Sequence, residues 1–215
     1  MHDWDLKTNI DGIYAAGDQL FASDCCGFAA ATGYYAGRKA AAYTDIVELA
    51  KPDREDIEQE KKRLYAPLQV DEGMDWRELN MAISKAMQNY CGEIKCKELL
   101  EEGLDLLREY EKEMVPQLSC KNPHDLMRTH EVLDILQVAQ MILQACLFRE
   151  SSSKPLCFQR SDFPQMDPQE DQCFYTIRLE DHKPVRGKVP LGYFGDVEQE
   201  YEKRNQDYIL EESRK

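Results

Sequence analysis

The sequence predicts a mainly α protein: a C-terminal three-helix antiparallel bundle, with a strand–loop–helix unit before it and a small β-hairpin after it. Three observations lead there. Between residues 74 and 150, apolar side chains recur at spacings of three and four in three successive stretches, the period of a helix with one buried face. Residues 8–38 pass from a turn through a short apolar run into a stretch of alanines and glycines. Beyond Cys173 two short extended runs, Cys173 to Leu179 and Val185 to Val189, flank a turn near Asp181.

In chain order, Asn9 to Gly12 form a turn that leads into a predicted strand, Ile13-Tyr14-Ala15-Ala16, which stops at Gly17-Asp18. After a loop, a helix is predicted to start near Gly27, built from Ala29, Ala30, Ala31, Gly33, Ala36 and Gly37. Such small residues allow close backbone approach, and a helix N-terminus presents unpaired N–H groups with a partial positive charge. An acidic residue at a strand end accepts hydrogen bonds from a ribose or ribityl hydroxyl, and the helix start suits an electron-rich ring oxygen. Taken alone, the run reads equally as an ordinary packing unit with an Ala-rich helix.

Pro52 ends this unit, and Asp53 to Arg63 is a charged helical run with little apolar face, a surface connector within a linker of residues 51–73. In the first bundle helix, Trp76, Leu79, Ile83, Met87 and Tyr90 make one stripe, with Gly92 as its stop. The second, about Cys96 to Val115, carries Leu99, Leu100, Leu104, Leu107, Tyr110 and Met114 on one side and ends at Pro116. Asn122-Pro123 supplies an N-cap and a first-turn proline for the third. That helix runs to about Arg149 with a wide apolar face of Leu126, Met127, Leu133, Leu136, Ala139, Met141, Ile142, Leu143, Cys146 and Leu147, which makes it the centre of the bundle. The helical signal stops at Ser151. Residues 151–215 then read as an extended segment with the hairpin, closed by a charged stretch from Asp196 that is either a helix or a frayed tail.

Composition excludes several classes. The net charge of −14 argues against a nucleic-acid partner, whose phosphates would be repelled. No run approaches the roughly 18–20 apolar residues of a membrane span, and the start lacks the pattern of a signal peptide, so a cytoplasmic chain without direct membrane insertion is expected. The eight cysteines are scattered and contain no CxxC pair, and Cys91-x4-Cys96 lacks a second pair, so reduced thiols and no metal are expected. Of the four histidines, His130 reads as a semi-buried, satisfied side chain on the third bundle helix.

These pieces, taken in order, resemble the C-terminal part of the succinate dehydrogenase/fumarate reductase flavoprotein family, which includes L-aspartate oxidase and the adenylylsulfate reductase flavoprotein. GIYAAGD matches the family's strand and acidic residue, and the helix ending in Gly37-Arg38 matches the second half of its flavin motif. Met87-Gln88-x-Tyr90 and Arg128-Thr129-x-Glu131 look like helices of the family's bundle. Leu147-x-Arg149-Glu150-Ser151, followed by Arg160-Ser161-Asp162-Phe163-Pro164, resembles its ESR…REDFP segment.

The resemblance implies FAD as cofactor, with residues 1–50 the closing piece of an α/β FAD-binding domain and residues 74–150 a helical domain for electron-transfer chemistry. It implies that Asp18, after Gly17, binds a ribityl hydroxyl, and that Ala29 and Ala30 let the flavin pyrimidine edge approach their backbone. Arg160 is placed facing substrate or partner, or else paired with Asp162 or Glu150. Ser23 to Ala30 lack the arginine of the family's GxNRLGxNSL loop, and Ser152 stands at the arginine of ESR, which argues against a dicarboxylate and toward adenylylsulfate reductase-like members. The family's GxGxxG fold and capping domain are not found in these 215 residues. The expected partners are therefore that N-terminal half and an iron–sulfur electron-transfer subunit, and the isolated chain is expected to be inactive. The competing reading is a non-catalytic helical interaction module or truncated gene product that docks to an iron–sulfur partner.

Overall fold

The computed structural model describes residues 1–20, 25–48, 51–154, 156–166, 173–180 and 183–213. They form two compact units, Met1–Pro52 with Gly192–Lys215, and Asp53–Leu191. The architecture is mainly α, with two small two-stranded sheets among the described residues.

The first unit contains α1 (Cys25–Thr44) and, from the far end of the chain, α6 (Val197–Ser213). The charged stretch is thus a helix and returns to the N-terminal segment. Asp5 collects cations and a hydroxyl from both helices: Tyr35 Oη donates to it at 3.1 Å, and Lys39 and Arg204 approach at 3.1 and 3.5 Å. Trp4 packs edge-on against Phe194, with ring centroids 5.4 Å apart. Residues 13–16, expected as a strand, make only local bridges. Lys7 bridges Tyr14, Thr8 N donates to Ile13 O (2.9 Å) and Ala15 N donates to Leu6 O (2.9 Å). A ladder needs a neighbour running alongside for several residues, and among the described residues the backbone of this segment bonds only to the tight turn that precedes it.

The second unit is the bundle, entered through α2 (Arg54–Tyr65), which has no buried residue and is capped by Asp53. A 3-10 turn, Ala66–Gln69, then fastens the chain to the bundle: Pro67 O accepts from Cys120 N, and the His130 ring bonds Leu64 O at 2.8 Å. Three helices follow, α3 (Trp76–Tyr90), α4 (Lys97–Glu113) and α5 (Pro123–Phe148). Asp75 and Glu78 form a reciprocal capping box at the start of α3, and Asn122 accepts from Asp125 N at the start of α5. The core is Leu79, Ile83, Leu100, Leu104, Leu107, Leu118, Val132, Leu136, Ala139 and Leu143. Each such side chain contributes about 1.5–3 kcal/mol through burial.

Four assignments from periodicity fail in detail. Leu99 lies on the outer face of α4, and the buried positions there are Leu100, Gly103, Leu104 and Leu107. On α5, Met127, Met141 and Ile142 are exposed, together with Ile135 and Val138. Only one face of α5 meets α3 and α4, so its apolar sequence leaves a stripe uncovered. The helix is long and apolar enough to cross a membrane by length and composition, and here it packs as the core helix of the bundle.

After α5 the chain forms a two-residue parallel ladder not expected from sequence, β1 (Ile94–Lys95) with β2 (Gln159–Arg160). The hairpin is longer than expected: β3 (Cys173–Glu180) pairs antiparallel with β4 (Lys183–Pro190), from Cys173 opposite Pro190 to Glu180 opposite Lys183. Its expected turn at Asp181 lies outside the described residues. The hairpin lies on the end of α5, where Arg186 donates to Phe148 O at 3.1 Å.

Gly103 of α4 packs closely against Tyr90 at the end of α3, where an added Cβ would stand 2.5 Å from Tyr90 Cβ. Gly103→Ala should therefore destabilise the protein by about 1–2 kcal/mol, because overpacking outweighs the gain of about 1 kcal/mol in helix propensity. Urea unfolding followed by circular dichroism checks this, and a rise in the midpoint would show that the contact is loose.

Candidate functional site

The segment that carries the flavin-type residues is organised around Gly17. Its φ of +67° is left-handed, a conformation open to glycine without steric cost. Gly17 N donates to Thr32 Oγ1 at 2.9 Å, and that hydroxyl donates on to Phe28 O at 2.6 Å. A Cβ on Gly17 would stand 3.5 Å from Ala29 Cβ, so the turn is pressed onto one face of α1. Gly17, Asp18 and Ala29 are thus brought together, with Ala30 next in the chain.

Asp18 lies in the first turn of a 3-10 helix, Gly17–Leu20, and not at the end of a strand. Its side chain is exposed, and among the described residues it has no hydrogen-bond or ion-pair partner. Ala29 and Ala30 are also exposed. Helix α1 begins at Cys25, earlier than the expected Gly27, so both alanines stand in its second turn. The N–H groups left free by the helical ladder are accordingly those of the first turn, at Cys25 to Gly27. The loop in which the family arginine was sought is partly residues 21–24, outside the described residues.

Arg160 is in the other unit, and it does not face an opening. It is 2% exposed, and its guanidinium is engaged within the chain. Nε and NH2 bond the two carboxylate oxygens of Asp162 at 2.8 and 2.6 Å, while NH1 donates to Cys146 O (2.7 Å) and Arg149 O (3.0 Å). Asp162 in turn accepts from Lys97 N at 2.9 Å, at the start of α4. The cation therefore serves the carbonyls at the C-terminal end of α5, and the anion serves the N–H groups opening α4, each matching the sign of the helix end it meets. Arg160, and Lys97 N with it, hold the Asp162 carboxyl down to about 2, well below the usual carboxylate range. Ser152, at the position of the family's arginine, is buried. Its hydroxyl donates to Phe163 O at 2.9 Å and accepts from Arg160 N at 3.0 Å.

Sequence reasoning missed Thr32, whose hydroxyl ties the Gly17 turn to α1. A threonine among alanines and glycines carries no motif that would mark it.

With this geometry in view, comparison with known proteins is informative. The profile of the family "Fumarate reductase flavoprotein C-term" matches residues 80–208, and the chain belongs to that family. No curated protein sequence matches the chain. Among solved structures it is similar to an adenosine-5-phosphosulfate reductase in complex with sulfite as a covalent adduct (22% identity, TM-score 0.74, 86% of this chain and 32% of that one). It is similar to FrdA of the E. coli quinol fumarate reductase (19% identity, TM-score 0.68, 88% and 35%). A third likeness is to the Mycobacterium smegmatis Sdh1 complex in the apo form (20% identity, TM-score 0.63, 87% and 36%). The chain spans about a third of the length of these proteins.

Two outcomes follow for the ion pair of buried Arg160 with partly exposed Asp162. Arg160→Ala removes one donor to the Asp162 carboxylate and leaves the Cys146 and Arg149 carbonyls without theirs, and should cost about 1–3 kcal/mol in denaturant unfolding. The folded-state pKa of Asp162 is depressed below the roughly 3.9 of an unfolded aspartate. Its stabilisation is therefore present above that value and is lost as pH falls toward about 2. The stability gap between wild type and Asp162→Asn should accordingly narrow over that window. A gap independent of pH would show that the carboxylate charge is not what matters.

Proposed function

We propose that this chain is the closing part of an FAD-dependent oxidoreductase of its family, contributing one edge of the flavin site and the helical domain. A further region of polypeptide would supply the pyrophosphate cradle and the capping domain. The observation that carries this reading is the turn at Gly17. It packs against Ala29 and leaves an exposed Asp18 carboxylate, without a partner among the described residues, beside a helix face made of small residues.

These residues fit the cofactor. Asp18 is free to accept a charge-assisted hydrogen bond from a ribityl or ribose hydroxyl. Ala29 and Ala30 put no bulk in the way of a flat ring, and the first turn of α1 presents free N–H groups toward negative charge on its pyrimidine edge. FAD, when bound, supplies a hydride acceptor that passes electrons onward, in this proposal to an iron–sulfur subunit. Gly17 positions Asp18, with Thr32 holding the turn in place. Arg160 spends its bonds within the bundle, on Asp162 and on the Cys146 and Arg149 carbonyls.

The run Ser23 to Ala30, whose residues from Cys25 onward open α1, holds no arginine for a dicarboxylate. The likeness to a reductase of adenosine 5-phosphosulfate supports a reading on that side of the family. The exposed apolar stripe on α5 supports a protein surface covering it in the complete assembly.

The isolated chain should purify without stoichiometric flavin. When the missing FAD and capping region is supplied, Asp18→Ala should weaken FAD retention about tenfold to a hundredfold, the loss of one charge-assisted hydrogen bond of about 1.5–3 kcal/mol. Flavin titration at matched protein stability measures this, and unchanged affinity would remove Asp18 from the site.

A further inference from the structure

We propose that the cleft between the Ala66–Gln69 turn, the end of α4 and the middle of α5 is a binding site for a small organic cation with an apolar body, of the alkylammonium class. The cleft lies wholly within the unit Asp53–Leu191, and the inference is independent of the flavin reading.

Size and lining set the body of the ligand. The cavity has a volume of about 590 Å³, within the roughly 300–1,000 Å³ of small-molecule sites. Buried Pro67, Leu118 and Leu136 line it, with half-buried Val70, Val115 and Leu133 beside them, so three separate chain segments contribute aliphatic surface. The walls are tied to one another. Cys120 N donates to Pro67 O at 3.0 Å, Leu118 N donates to Val115 O at 3.2 Å, and the His130 ring bonds Leu64 O at 2.8 Å. These bonds fasten the turn before the bundle to the α4–α5 connection and to α5, so the cleft is preformed and little ordering opposes entry.

The rim sets the charge. Glu111 of α4 and Asp134 of α5 both line the cavity, both are exposed, and neither forms an ion pair among the described residues. Gln140 Nε2 donates to Glu111 Oε2 at 2.9 Å, a neutral partner that orients the carboxylate and leaves its charge in place. Arg63, the cation among the described lining residues, gives its Nε and NH2 to the Glu60 carboxylate at 2.7 and 2.6 Å. Its charge is held chiefly by Glu60 and to a smaller degree by Asp134. With Glu60 counted, three carboxylates stand against one guanidinium, an excess of two negative charges.

An ammonium on an apolar tail answers both features. The tail displaces water from the aliphatic walls, and the N–H donors meet Glu111 or Asp134 at the mouth. An organic anion with the same tail meets the same walls and the wrong sign of charge. Because both carboxylates are exposed, the charge contributes modestly and salt screens it, so burial of the tail supplies most of the affinity. The volume suits one small molecule, whereas a docked protein needs a face of about 800 Å².

The test uses the full chain with leucine and valine methyls labelled, titrated by NMR with hexylammonium, hexanol and hexanoate, probes with one tail and different charge. The expected result is a shift of the Val70, Val115, Leu118, Leu133 and Leu136 methyls, with affinity falling in that order of probes. Lengthening the ammonium tail to octyl should tighten binding by up to about fourfold for each added CH₂. Glu111→Gln combined with Asp134→Asn, isosteric changes at exposed positions, should weaken hexylammonium about tenfold and leave hexanol nearly unchanged. The peptide acetyl-Leu-Lys-Leu amide, which carries the same ammonium on a backbone, should bind more weakly than hexylammonium. The proposal is overturned if hexanoate binds as well as hexylammonium, if the double variant keeps full affinity, or if the shifted methyls lie elsewhere. It is also overturned if the peptide binds more tightly, since the cleft would then belong to a protein partner.

Discussion

The bundle is held in register by one ion pair that faces two helix ends at once. Arg160 and Asp162, two residues apart, reach the C-terminal carbonyls of α5 and the opening N–H of α4. A helix leaves four carbonyls and four N–H groups unpaired at its ends, and burying them unsatisfied is costly. Here a single dipeptide step delivers a cation to one set and an anion to the other. The pair is also bidentate, with bonds of 2.8 and 2.6 Å, so its geometry admits little slack. The parallel ladder of Ile94–Lys95 with Gln159–Arg160 and the bond from Ser161 N to Lys95 O (2.9 Å) hold the same segment against the start of α4.

That arrangement explains why the segment after α5 is part of the bundle and not a tail. Ser152 is buried because its hydroxyl bridges Arg160 N and Phe163 O. An arginine side chain there would have to displace this bridge, which gives a structural reason for the departure from the family's ESR pattern. The hairpin is tied to the same helix end through Arg186 and Phe148 O, with Arg149 stacked over Tyr175, its Cζ 5.0 Å from the ring centroid.

The N-terminal unit follows a different principle. In α1 only Ala36 is buried, so most of its alanines and glycines present a smooth surface to solvent. Small residues contribute little by burial, and their exposure here is consistent with a helix shaped for close approach by another surface. The turn at Gly17 sets the position of that surface, and Thr32 is the hydroxyl that fixes the turn.

The sequence by itself determined the three bundle helices, the Asn122 cap of the third and most of their buried faces, because a period of 3.6 residues and local capping chemistry are written within about fifteen residues. It determined the family through the order of GIYAAGD, the bundle helices and Arg160-Ser161-Asp162-Phe163-Pro164, and it narrowed Arg160 to a mouth-facing or a paired role. Only the tertiary structure decided between those roles, because burial of the guanidinium depends on where α4 and α5 end relative to each other. It also decided that Leu99, Met141 and Ile142 face outward, since a helix apolar on most sides does not say which side its neighbours will cover. The segment 13–16 became a single bridge, Tyr14 with Lys7, because a strand requires a neighbour that periodicity cannot supply. The bond from Lys97 N to Asp162 was likewise beyond reach, as contacts between residues far apart in the chain exist only once the helices have packed.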